Sequence, residues 1–260
     1  MKPPGPNAAG AKRAQPSKSP RAMSLAPIAG VVLAGGEGRR LGGNKAVLRL
    51  PRSRSGVPGL TLVDWTVARL AAVAGVEEIL VAAGDFGAEV GPVDQGLPVS
   101  TAPDGPGAGP AAGVLGAARA RPGHRLLVLA CDLPLVPVDL LAALAASGAD
   151  LAPAADDPGD PRAMNPTCAL WAPPALERLA ARIEEGDNRL YPLTRRAGLR
   201  VEPVGAGRFG DPEHVLLNVN TAADWERARR LVAATASSLG QDRREGDQRA
   251  GGKRLPRSSP

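Results

Sequence analysis

The sequence predicts an α/β fold in which helices cover both faces of a mostly parallel sheet. Three observations lead there. Short apolar or β-branched runs alternate with segments of helical periodicity from about Pro27 to about Ala236. The connections between successive runs are long enough to hold a helix, which a parallel pair requires. The first and third runs are apolar almost throughout, as strands covered on both faces are.

The elements follow in order. "IAGVVLA" (28–34) reads as a buried strand. "TLVDWTVARLAAVAG" (61–75) reads as a helix. Thr61 caps it, and Asp64 three residues on completes a capping box. Val63, Val67, Leu70 and Ala74 then share one face. "EEILVAA" (77–83) is the second strand, and "PAAGVLGAARA" (110–120) a helix despite glycines that lower its propensity. "RLLVLACD" (125–132) is the third strand and the most continuous apolar run. "PVDLLAALAAS" (137–147) follows as a helix with Pro137 at its first turn. Beyond Asp150 the pattern is less regular. "TCALWA", "LRVEPV" and "HVLLNVN" read as strands, and "PPALERLAARIEEG" and "TAADWERARRLVAAT" as helices.

The 260 residues suffice for one sizeable α/β domain. Aromatics make up only 2%, so Leu, Val and Ala must build the core. The formal charge is +6, but the first 26 residues alone carry +5 and residues 237–260 carry +3. That leaves −2 for residues 27–236, so the basicity belongs to the tails and nucleic acid is not the expected partner. Residues 1–26 are Pro-rich, basic and without an apolar core, so they read not as a secretory signal but as a disordered extension, or as a start codon placed too early with Met23 the better start. Residues 237–260 lack periodicity and read as a second disordered tail. No apolar run approaches a membrane span. Cys131 and Cys168 fit neither a disulfide framework nor a metal site, and a reducing cytoplasm is the expected compartment.

In open sheets of this kind ligands bind beyond the carboxyl ends of the strands. Two stretches fall there: the loop after Ala34 and "CDLP" after Ala130. The first reads "GGEGRRLGGNK" (35–45). Its third glycine is one place late for a dinucleotide fingerprint, and no hydroxyl follows its lysine as a P-loop requires. What remains is a set of glycines whose backbone N–H groups can wrap oxygen atoms, with Arg40 and Lys45 as phosphate partners. Asp132 at a strand end suits magnesium, which takes one or two carboxylates plus substrate phosphates. A carboxylate that only caps the next helix would look the same. In "LNVNT" (217–221), Asn218 and Asn220 alternate around Val219 and face one side of a strand, and Thr221 caps the helix that follows.

Together and in this order, "LAGGEGRRLGGNK", "DGPGAGPAAG", "CDLP", "NPTCALW", "NRLYPLTRRAG" and "LNVNT" resemble the landmarks of the molybdenum cofactor guanylyltransferases. The resemblance runs from about Ile28 to Leu231. It implies a Rossmann-like, glycosyltransferase-A type nucleotidyltransferase fold. It also implies GMP transfer from GTP to molybdopterin with Mg²⁺, and transient cofactor-delivery or acceptor proteins as partners. By the same resemblance Leu33, Ala34, Gly35 and Gly36 lie against the nucleotide, and Arg40 and Lys45 bind the triphosphate. Asp104 contacts the nucleoside, Asp132 holds the metal, and Asn218 and Asn220 sit near metal and pterin. Lys45, Arg40 and Asp132 are the expected catalytic set. The sequence departs from the family at Asn44, where an Asp is usual, at Ala82–Ala83, where an Asn is frequent, and at Asn165, where His or Gln is common. Cytidylyl or sugar-1-phosphate nucleotidyl transfer, and a non-catalytic nucleotide-binding adaptor, are the alternatives.

Overall fold

A computed structural model describes residues 26–35, 43–51, 59–84, 96–195 and 198–234. Apart from Ala26, both segments expected to be tails lie outside these residues, as do Gly36 and Arg40. The strands are β1 (Ile28–Leu33), β2 (Val76–Ala82), β3 (Val99–Thr101), β4 (Arg125–Ala130), β5 (Leu151–Ala155), β6 (Met164–Trp171) and β7 (Val204–Gly205). The helices are α1 (Leu62–Ala71), α2 (Pro110–Ala120), α3 (Val138–Ala146) and α4 (Pro173–Glu184), with a last helical stretch, α5, over residues 222–234.

The strands form one sheet in the order β3-β2-β1-β4-β6-β5-β7. β1 is parallel to β2 and β4, β2 to β3, and β5 to β7. β6 runs against both its neighbours. Its first residues therefore lie at the rim where β1 and β4 end, which brings Thr167 toward the carboxyl ends of the parallel strands.

Every residue of β1 and β4 is buried. Gly30 lies under Leu70 of α1, whereas Leu33 lies under Gly113 of α2. Residues 30 and 33 of a strand point to opposite faces, so α1 and α2 cover the two sides of the sheet. Trp171, a fully buried large side chain, donates its Nε1–H to the Pro166 carbonyl at 3.1 Å. Arg125 is also buried. Its guanidinium donates to the carbonyls of Ala145 and Ser147 at the end of α3, where a helix presents partial negative charge.

The glycines of α2 have a tertiary reason. A Cβ on Gly116 would stand 1.9 Å from the Pro103 carbonyl oxygen. The loop after β3 therefore lies directly on the helix backbone, and helical propensity yields to that close approach.

Three sequence expectations need correction, and two strands carried none. α1 ends at Ala71, so Ala74 lies beyond it and is exposed, and Val73 takes its place in the core. "LRVEPV" forms only a bridge at Val201 and the two-residue β7, because Pro203 interrupts the ladder. "HVLLNVN" is not a strand. Residues 212–216 turn, and Val219 N–H bonds the Asp132 carbonyl at 2.8 Å, a loop partner rather than a ladder. β3 and β5 were not anticipated. β3 is short and largely exposed, and Pro153 inside β5 sits at a register irregularity, where a strand tolerates proline.

Candidate active site

The rim holds a cavity of about 530 Å³, lined among others by Leu33, Ala34, Gly35, Lys45, Asp104 and Asp132. Thr167 and Asn218 close it from the other half of the sheet. Of the residues expected to bind a nucleotide or metal, all but Gly36, Arg40 and Asn220 line this one space. The first two are outside the described residues. Asn220 reaches the space through Lys45.

Lys45 sits at the start of a short 3-10 turn, Lys45–Val47. Asn44 caps that turn, its Oδ1 accepting the Ala46 N–H at 2.9 Å. Capping needs an acceptor oxygen and no charge, so Asn serves here as well as the usual Asp. The Lys45 ammonium donates to Asn220 Oδ1 at 2.6 Å and to Asp132 Oδ2 at 3.3 Å. The side chains of Lys45 and Asp132 are only 16% and 22% exposed, so solvent screens the pair weakly. Burial pushes the Asp132 carboxyl above its usual range, and the Lys45 charge pulls it back in part.

Two devices hold Asp132. Val219 takes its carbonyl from one side. On the other, α1 grips the loop that follows: Trp65 Nε1–H donates to the Pro134 carbonyl at 2.8 Å, and Arg69 Nη1 donates to that of Val136 at 2.7 Å. The Arg69 guanidinium stacks 4.6 Å from the Trp65 ring, and burial lowers its pKa to about 10. Asn220 is fixed by the cap of α5. Asp224 Oδ2 accepts the backbone N–H groups of Asn220 and Thr221, and Thr221 Oγ1 accepts the Asp224 N–H at 3.2 Å. The Thr221 hydroxyl, which also donates to Asp224 Oδ2 at 2.8 Å, and the two backbone N–H groups hold the Asp224 carboxyl below its usual range. Asn218 and Asn220 are both exposed with Val219 buried between them, so the predicted alternation holds without a strand.

Thr167, Gly84, Gly109, Gly113 and Cys131 line the cavity and were not singled out as site residues. Thr167 and the three glycines lie in or beside motifs with a sequence signal. Gly84 and Gly109 adopt φ of +59° and +61°, where glycine is favoured. Trp65 and Arg69 had none, because their partners are carbonyls distant in sequence. The Cys131 thiol is pushed up to about 12, chiefly by burial, so it stays protonated and is no nucleophile at neutral pH. Neither His124 nor His214 lines the cavity.

A mostly parallel sheet with cation, carboxylate and amides gathered at the carboxyl ends of its parallel strands defines a nucleotide-handling α/β protein. Residues 30–201 match the MobA-like NTP transferase domain, and the chain belongs to that family. It is 37% identical over 212 residues to a molybdenum cofactor guanylyltransferase of Cereibacter sphaeroides, covering 80% of this chain and 98% of that one. A nucleotidyl transferase structure from Methanothermobacter superposes with a TM-score of 0.62 at 26% identity, covering 80% and 99% of the two chains. The molybdopterin-guanine dinucleotide biosynthesis protein A of Archaeoglobus fulgidus shares the fold, with a TM-score of 0.57 at 23% identity over 79% and 98% of the two chains.

Proposed function

We propose that this chain transfers GMP from GTP to molybdopterin, releasing pyrophosphate. The observation that carries the reading is the meeting of Lys45, Asp132 and Asn220, from three distant segments, beside a cavity of nucleotide size. Family membership and the guanylyltransferase relative support it.

The terminal phosphate of the pterin attacks the α-phosphorus of GTP. A new P–O bond forms, the bond to the β-phosphate breaks, and pyrophosphate leaves with the electron pair. A phosphate monoester is largely ionised at neutral pH, so the attacker needs no general base. The work left to the protein is alignment and charge neutralisation. Lys45 is placed to stabilise the crowded α-phosphate, and Asn220 orients its ammonium. Arg40 is assigned the departing pyrophosphate. Asp104 offers acceptor oxygens suited to a ribose hydroxyl or a base N–H. Leu33, Ala34 and Gly35 line the cavity where the nucleotide would approach the backbone, and Gly36 is assigned the same role.

The residues at Asp132 suit a hard divalent cation: a weakly exposed carboxylate and the Asn220 amide oxygen both offer oxygen donors, and the Lys45 ammonium now bonded to both marks where they accept positive charge. Asp132 would hold Mg²⁺ together with substrate oxygens, and Asn218 lines the same cavity. When bound, the ion supplies Lewis-acid stabilisation of the phosphoryl oxygens. Buried, unpaired Cys131 and Cys168 support a reducing, cytoplasmic setting. No helix of the described residues is long and apolar enough to cross a membrane.

Thermal shifts with GTP, CTP and UTP plus Mg²⁺ test the base, and pyrophosphate release with molybdopterin tests the reaction. GTP should give the largest rise in melting temperature. Protection by CTP alone would refute the guanine assignment, and protection without release would leave an adaptor.

A further inference from the structure

None of the described residues of the "NRLYPLTRRAG" motif (188–198) lines the rim cavity, yet its first residue touches the loop that does. The path begins with the end of α4. Gly186 adopts φ +86°, its N–H bonds the Ile183 carbonyl, and the Asp187 N–H reaches back to Arg182 at 2.9 Å. This is a Schellman termination, and it fixes the direction of the chain leaving the helix. Asp187 is then locked by charge. It pairs with Arg182, and its Oδ1 accepts the Arg189 backbone N–H at 3.0 Å and Nε–H at 2.8 Å. Asn188 stands between these two anchored neighbours.

From there Asn188 Oδ1 accepts the Ala108 N–H at 3.1 Å. Gly107 is pressed against the same oxygen and against Ile183. A Cβ there would stand 2.5 Å from Asn188 Oδ1, and Gly107 itself has φ +101°. Residues 104–109 join Asp104 to the first turn of α2, and both ends of this loop line the cavity. The other side of the loop rests on α2, where the Gly105 N–H bonds the Ala112 carbonyl at 2.8 Å.

We propose that Asn188 is a positioning residue for nucleotide recognition: its amide oxygen, held by the end of α4, fixes the 104–109 loop in the shape that presents Asp104 and the α2 N-terminus to the nucleoside. This rests on the nucleotidyltransferase reading above. Asn188 holds the loop without lining the cavity, so the residue acts on binding and not on the phosphoryl step.

The test compares the full-length protein with Asn188→Leu, which removes the acceptor, and Asn188→Asp, which keeps one. Asn188→Ala replaces the leucine variant should that one not fold. Amide exchange at Ala108 is read without nucleotide, and GTP binding and steady-state kinetics are read with Mg²⁺. Asn188→Leu should speed exchange at Ala108 and raise both the GTP dissociation constant and KM roughly three- to tenfold, with kcat within about twofold. Asn188→Asp should stay within about twofold of the parent in every readout. Unchanged exchange in Asn188→Leu, faster exchange with unchanged GTP affinity, or equal failure of the aspartate variant would each overturn the proposal. A parent protein that binds CTP but not GTP would instead refute the guanylyl assignment. The exchange arm would still read the hold on the loop, and affinity would be read with CTP.

Discussion

The two halves of the sheet differ in how they are built and in what they bring to the rim. The half formed by β3, β2, β1 and β4 is wholly parallel, with two strands buried along their whole length. It supplies Lys45, Asp104 and Asp132. The half formed by β6, β5 and β7 contains one reversed strand, a register break at Pro153 and an edge strand of two residues. It supplies Thr167, and the chain beyond it supplies Asn218 and Asn220. The regular half provides charge from loops at strand ends. The irregular half provides neutral amide and hydroxyl groups, placed by caps and turns. The hydrogen bond from Lys45 to Asn220 joins the two, so the site is complete only when both are docked.

The largest expected effect breaks that junction. Lys45→Ala or Asp132→Ala should cost about 2.7–4 kcal/mol of barrier, a loss in kcat of about 10²–10³, with little change in melting temperature. Wild-type turnover in either purified variant would remove the regular half from the chemistry. Next comes a packing change confined to that half. Gly116→Ala forces a methyl into the Pro103 carbonyl, and overpacking of this kind costs about 1–3 kcal/mol. The melting temperature should fall by roughly 2–10 °C. An unchanged melting temperature would mean that the loop after β3 yields easily, and that it does not need the glycine.

The smallest effect sharpens the other side of the comparison. Arg189 and Arg182 hold the Asp187 carboxyl well below its ordinary range. A depressed native pKa stabilises the fold above the ordinary aspartate value, and the contribution is lost as pH falls toward the native one. Asp187→Asn should therefore melt slightly below the parent near pH 7, and the gap should close in acid. Arg189, the main partner, is largely exposed and screened by solvent, so the difference is small. A gap that is constant with pH would mean that Asp187 acts through shape alone.

Legibility followed the same division. Periodicity and capping chemistry are local, and they revealed β1, β2 and β4 and the helices α1 to α5, with Thr61 and Thr221 as caps. Lys45 and Asp132 stood out because loops at the ends of parallel strands must share a rim. In the less regular half only β6 was legible for most of its length, from "TCALWA". β5 and β7 are short, with Pro153 inside one and Pro203 just before the other, and the asparagine segment bonds a loop carbonyl where a ladder was expected.

The sequence by itself determined the layer architecture, the family and most of the polar groups at the site, because hydrophobic period, glycine and cap residues act within a few positions. Only the tertiary structure decided the partners of those groups: Asn220 on Lys45, Trp65 and Arg69 on the Asp132 loop, and Asn188 on the backbone of Ala108. Each of these bonds joins residues far apart in the chain, and several end on a backbone carbonyl, which every residue carries, or on an N–H, which every residue but proline carries. No pattern of side chains can announce such a partner before the chain is folded.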